Sequence, residues 1–218
     1  PPSGTGNVYV IYRGQAEVTT RLEAQDLSIT TAKLADDAVT TAKITDANVT
    51  SAKMFSGFAN GITMADQFRL SATYSTDDGT ITGWERPTDA NGNNMRFTQL
   101  GTGMTQVNGI FSFPSTGYYV VYVSAEIYCN SGDGFGAVEL YVTENNSTYV
   151  LASVCATDGG GSGANRGNGS IINLINVTDI TNQKIKTQTN SLNSGSQIMG
   201  DSDYNRTVIT FFKIADSQ

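Results

Sequence analysis

The side chains able to do chemistry in this 218-residue chain are mostly acidic, and none is a histidine. Without histidine, a Ser-His-Asp triad, a Cys-His dyad and a His-ligated zinc or haem site are all excluded. Asp77-Asp78 and Asp201/Asp203 are the acid pairs that could hold a metal ion or work as paired carboxylates. Asp201-Ser202-Asp203-Tyr204-Asn205 begins like an EF-hand loop. Arg206 then stands where that loop needs glycine, and Phe212 where it needs glutamate, so no EF-hand is expected.

Residues 158–169 (DGGGSGANRGNG) form a glycine-rich stretch. A phosphate-binding loop would need Gly-Lys-Ser/Thr, and the sole cation here is Arg166. The stretch therefore reads as a loop between strands. Binding residues concentrate on such loops, which makes Asp158, Asn165, Arg166 and Asn168 the candidate receptor contacts. Trp84 and the tyrosines could stack on a sugar ring, although packing is the commoner fate of aromatic side chains. No catalytic residue, metal or cofactor is expected.

Composition fixes what must position these residues. Thr, Ser and Asn together number 65, with 23 Gly besides, whereas charged residues are only 15%. Small uncharged polar residues favour turns, caps and exposed strand faces over long helices. The net charge of −7 leaves no basic face for nucleic acid. No apolar run reaches the ~18 residues that would span a bilayer, so membrane insertion is not expected.

Residues 27–54 contain an internal repeat: LSITTAKLAD, DAVTTAKITD, ANVTSAKM. Aligned on TTAK, TTAK and TSAK its period is ten. Large apolar residues (Ile29, Leu34, Val39, Ile44, Val49, Met54) recur every five positions. On an α-helix each step of five turns ~140°, and in a flat strand an odd step changes face. Neither one helix nor one strand hides this column within a single chain. Short capped turns, each begun by Thr30, Thr40 or Thr50, fit the spacing, and they need partner chains to supply apolar surface. A disordered linker is the alternative, though regular apolar columns are not needed in a spacer.

From residue 67 onward, short alternating apolar runs appear between turn signals such as Asp77-Asp78-Gly79, Asn91-Gly92, Asn108-Gly109 and Asn145-Asn146. The runs fall at 68–72, 109–113, 117–128, 136–143, 149–156, 170–177, 184–188 and 207–214. Many short strands with turn-rich connections predict an all-β sandwich or barrel. Within residues 118–127, Tyr119, Val121, Val123, Ala125 and Ile127 are the core-facing set. The alternate set includes Tyr118 and Tyr122 and is free to face another subunit.

These residues carry a resemblance. Ile81-Thr82-Gly83-Trp84-Glu85-Arg86, Leu100-Gly101-Thr102-Gly103-Met104-Thr105 and above all Gly109-Ile110-Phe111-Ser112-Phe113-Pro114-Ser115-Thr116-Gly117-Tyr118-Tyr119 resemble the globular domain of the C1q/tumour-necrosis-factor group. The version found at the ends of bacteriophage fibres, especially of marine phages, is the most similar. The repeat resembles the TTAK arrays that precede receptor-binding ends in such fibres. The closing run TVITFFKI departs from the family by lacking a glycine before its aromatic pair.

The resemblance implies an all-β jelly-roll sandwich in three chains round one axis, with the repeat as stalk. It implies binding and no enzymatic activity. A calcium site built from separate loops occurs in some members of the wider group. Solvated loop acids are the plainer reading of Asp77, Asp78, Asp201 and Asp203. A glycan depolymerase using those carboxylates would need a long solenoid groove, for which this chain has no room. In a phage protein made in a reducing cytosol, Cys129 and Cys155 are expected as buried free thiols rather than a disulfide.

The expected organisation follows. Residues 1–26 attach to other virion proteins, 27–60 form a trimeric stalk of segmented helical turns, and 61–218 form the knob. The knob adheres to a host cell-surface molecule or polysaccharide from the surface of the virion. The other function to weigh is decoration of a capsid or collar with a mainly structural role. Threefold contacts are expected through the apolar column of the repeat and through Tyr118, Tyr122 and Phe212.

Overall fold

A computed structural model describes residues 36, 38–40, 44, 49, 61–87, 99–159, 163–193 and 195–217. The chain divides into two units, Pro1–Ser56 and Gly57–Gln218. In the first, the described Val39, Ile44 and Val49 are all exposed. The expected contacts Ile29, Leu34 and Met54, and most of the residues of the expected segmented-helix stalk, lie outside the described residues.

The second unit is built of strands: β1 (Met64–Leu70), β2 (Trp84–Glu85), β3 (Thr105–Val107), β4 (Ile110–Ser112), β5 (Gly117–Cys129), β6 (Phe135–Thr143), β7 (Tyr149–Asp158), β8 (Asn165–Val177), β9 (Lys184–Asn190), β10 (Gln197–Ile198) and β11 (Val208–Ala215). One sheet runs β8-β5-β11-β1-β2, with β10 also pairing β5; the other runs β3-β4-β9-β6-β7. The pairings between strands are antiparallel. From β5 to β9 the chain passes back and forth between the sheets, as a jelly roll does.

The alternation in β5 sets the core. Its thirteen residues switch strictly between buried and half-buried, and Tyr119, Val121, Val123, Ala125 and Ile127 are wholly buried. Phe68, Ile209 and Phe211 of the same sheet meet Phe111, Val138, Leu140 and Ile185 of the other. Phe111 is the hub: its ring centroid lies 5.2 Å from Phe68, 5.2 Å from Phe211 and 6.0 Å from Trp84. Trp84 is buried, and its indole N–H donates to the Ile81 carbonyl, so packing claims this ring and not a sugar.

The Asn108-Gly109 turn joins β3 to β4 as the sequence predicts. Both residues have positive φ, 51° and 81°, the conformation that a two-residue hairpin requires. A Cβ on Gly109 would stand 2.2 Å from the Ile81 carbonyl oxygen, so only glycine fits.

Candidate functional site: the outer face of the β5 sheet

Antiparallel register puts directly opposed residues on one face. On the outer side of the first sheet this produces rows. Ala65, Phe212, Val120 and Leu174 form one, running from β1 through β11 and β5 to β8. Gln67, Thr210, Tyr122 and Ile172 form the next. Tyr118 follows at the near end, opposite Asn176.

Tyr118, Val120, Tyr122 and Phe212 are half-buried, but Ile172 is 70% and Leu174 63% exposed. The neighbouring edge strand β7 adds exposed Val150, Leu151 and Val154. Between β7 and β8 a recess of about 380 Å³ opens beside Leu174, lined with Phe113, Val142, Ala152 and Ile185. Thus Tyr118, Tyr122 and Phe212, expected at a subunit contact, lie together on one outward face.

The far half of the same face is polar. Ser124 faces Ser170, Glu126 faces Asn168 and Tyr128 faces Arg166. Arg206 donates to Glu126 Oε1 at 2.9 Å and lies 3.6 Å from Asp201. It also donates to the Tyr204 hydroxyl, and its guanidinium lies over the Tyr204 ring. Arg166 approaches the same Glu126 Oε1 at 3.4 Å and lies over the Tyr128 ring. The two ends differ in another way. Met64 and Ala215, at the start of β1 and the end of β11, sit at the Tyr118 end, whereas the β7–β8 connection sits at the Tyr128 end.

The four candidate receptor residues are not on one loop, which corrects the sequence expectation. Asp158 ends β7, while Asn165, Arg166 and Asn168 are already inside β8. Gly167 and Gly169 misled because they belong to the strand. A Cβ on Gly167 would collide with the Thr157 side chain, and one on Gly169 would come within 2.8 Å of Cys155 Sγ. Glycine in this strand therefore marks a close approach of β7 and not a turn. The structure joins Asp158 and Asn165 through the Asn165 amide, which donates to the Asp158 carbonyl at 2.8 Å. Arg166 and Asn168 instead share the outer face with Tyr122.

The candidate metal acids serve turns. Asp77 Oδ1 accepts from the Leu192 N–H, and Asp201 Oδ1 accepts from the Asp203 N–H. The latter bond leads the contacts that hold the Asp201 carboxyl below its usual range. Among the described residues no three His, Cys, Asp or Glu side chains converge. Cys129 and Cys155 are free thiols, both buried. Burial pushes the Cys155 thiol up to about 11.

Sequence reasoning had no signal for two buried polar anchors. Asp66 is buried and accepts from Arg86 Nε and Nη2 and from the Met104 N–H. Asp133 is buried and accepts from Ser196, from the Asn193 amide and from the Asn193 backbone N–H. Each ties a loop to the sandwich.

The sequence matches no protein-family model, and no curated protein matches it. Solved structures do match in fold. Eiger TNF from S. frugiperda superposes with a TM-score of 0.51 at 15% identity, covering 73% of this chain and 96% of that one. Murine APRIL gives 0.48 at 12% identity, covering 69% and 98%. The strand-built unit thus has a TNF-like jelly-roll fold.

Proposed function

We propose that this chain is a homotrimeric bacteriophage fibre or spike protein whose C-terminal knob adheres to a host cell-surface molecule or polysaccharide, without enzymatic activity. The observation that carries this is the outer face of the β5 sheet. Two adjacent rows end in Leu174 and Ile172 at 63% and 70% exposure, beside an apolar β7 edge. A contiguous apolar patch of this kind marks an association surface. Three copies around an axis would cover it, each face receiving the next copy's edge. The C1q/TNF resemblance of the sequence implies the same number. The repeat supports a stalk, since its described apolar residues Val39, Ile44 and Val49 are exposed.

The polarity of the knob supports adhesion. The start of β1 and the end of β11 lie at the Tyr118 end, so the β7–β8 connection, with Asp158, Asn165, Arg166 and Asn168 at its flanks, is presented at the opposite end. Three equal tips would convert weak contacts into avidity. Residues 1–26 would join the fibre to other virion proteins.

The test is binding of the purified full chain to host cells, together with labelling on intact particles. Saturable adsorption, weakened by Asn165→Ala, and a tail location are expected. No adsorption, with label on the capsid or collar, would replace this function with decoration.

A further inference from the structure

We infer that Arg166 pairs with Glu126 of a neighbouring copy and so fixes the register of the three chains. This rests on the trimer proposed above and goes beyond it. Apolar rows attract without direction. They bring faces together, but a slide along the strands costs them little. Something polar must penalise the wrong alignment.

The polar half of the face holds matching unspent groups. Glu126 takes its Arg contacts on Oε1 alone, and its Oε2 accepts no hydrogen bond from the described residues. Arg166 uses one Nη1–H, at 3.4 Å, and its Nε and Nη2 donors have no hydrogen-bond partner among the described residues. Its side chain is 54% exposed, against 21% for Arg206 and 23% for Glu126. Arg206 is already engaged by Glu126, Asp201 and Tyr204. Of the two described cations of this cluster, Arg166 is therefore the one able to reach outward, held over Tyr128 in the next position along β5.

Both residues stand on the face that association would cover, one strand apart. The local charges of Glu126 and Asp201 balance those of Arg166 and Arg206, so the patch is complementary to itself and not to an anion. As an exposed pair within one chain, Arg166 and Glu126 contribute little. Shared between copies and sheltered from water, the contact becomes sensitive to alignment. This assigns Arg166, with Asn168 opposite Glu126 on the same face, to the subunit boundary and leaves Asp158 and Asn165 to the receptor.

The experiment uses full chains and subunit exchange. Arg166→Glu and Arg166→Ala should each raise the concentration at which trimers dissociate by about tenfold or more. Added salt should weaken the unaltered trimer more than the Arg166→Ala trimer. Differently tagged Arg166→Glu and Glu126→Arg chains, refolded together, should form mixed trimers in excess of the random ratio. Arg166→Ala disturbs no other described hydrogen bond, and its strand content by circular dichroism should match the parent. An unaltered chain that trimerises while both Arg166 variants dissociate at the parental concentration overturns this inference alone. An unaltered chain that never trimerises overturns the proposed assembly, and this inference with it.

Discussion

Ile172 of β8 stands directly opposite Tyr122 of β5 on the outer face, and it is 70% exposed beside a tyrosine that is half-buried. The strand pairing that places them side by side leaves Ile172 without cover of its own. Replacing Ile172 and Leu174 by lysine should leave the strand content unchanged and dissociate the assembly. Burying each such side chain contributes about 1.5–3 kcal/mol, and every copy would lose both. Light scattering of the double variant beside the parent checks this.

Phe111 should be the most costly single truncation. It is wholly buried and touches Phe68, Trp84 and Phe211 from the opposite side of the core. Phe111→Ala should destabilise by about 3–5 kcal/mol. Phe135→Ala, at a ring that is nearly half exposed, should change stability by about 0.5 kcal/mol or less. Denaturant unfolding of the two variants measures the contrast.

Acid stability should depend on Asp133. Burial alone would push its carboxyl up, but the Ser196 hydroxyl and the Asn193 amide and N–H outweigh burial and hold it below the usual range. A carboxyl whose folded pKa lies below its unfolded value adds stability that is fully present above the unfolded value, near pH ~3.9. That stability is lost as pH falls through the folded value. Asp133→Asn should therefore lower the melting temperature at neutral pH and flatten its fall in acid. Thermal melts from neutral pH down to about pH 2 test both parts.

The thiols should be silent until the chain opens. Burial leads the causes that raise Cys129, and it alone raises Cys155, to about 11. The thiolate is the reactive form. A maleimide at neutral pH should label neither cysteine in the native protein and both in denaturant. Rapid native labelling of Cys155 would show that β7 lifts from the sandwich.

What the sequence displayed was the alternation. Tyr119 to Ile127 were legible as core because period two survives in every residue of that strand. The eight expected runs fall on β1, β4, β5, β6, β7, β8, β9 and β11, with ends displaced by a few residues. β2 and β10 are two residues each, too short to show a period. β8 was read too short at its start because Gly167 and Gly169 look like a loop when the packing of β7 against them is not visible. The Glu126 cluster was hidden for another reason. Arg166 and Arg206 lie 40 and 80 residues from Glu126, and only the pairing of β5 with β8 and β11 brings them to one end of the sheet.

Sedimentation equilibrium of the full chain weighs the claim beneath all of this. A single species of about three times 23.1 kDa, persisting on dilution and broken by lysine at 172 and 174, is the expected result. A particle of 23.1 kDa at every concentration, with Ile172 and Leu174 in water, would contradict it.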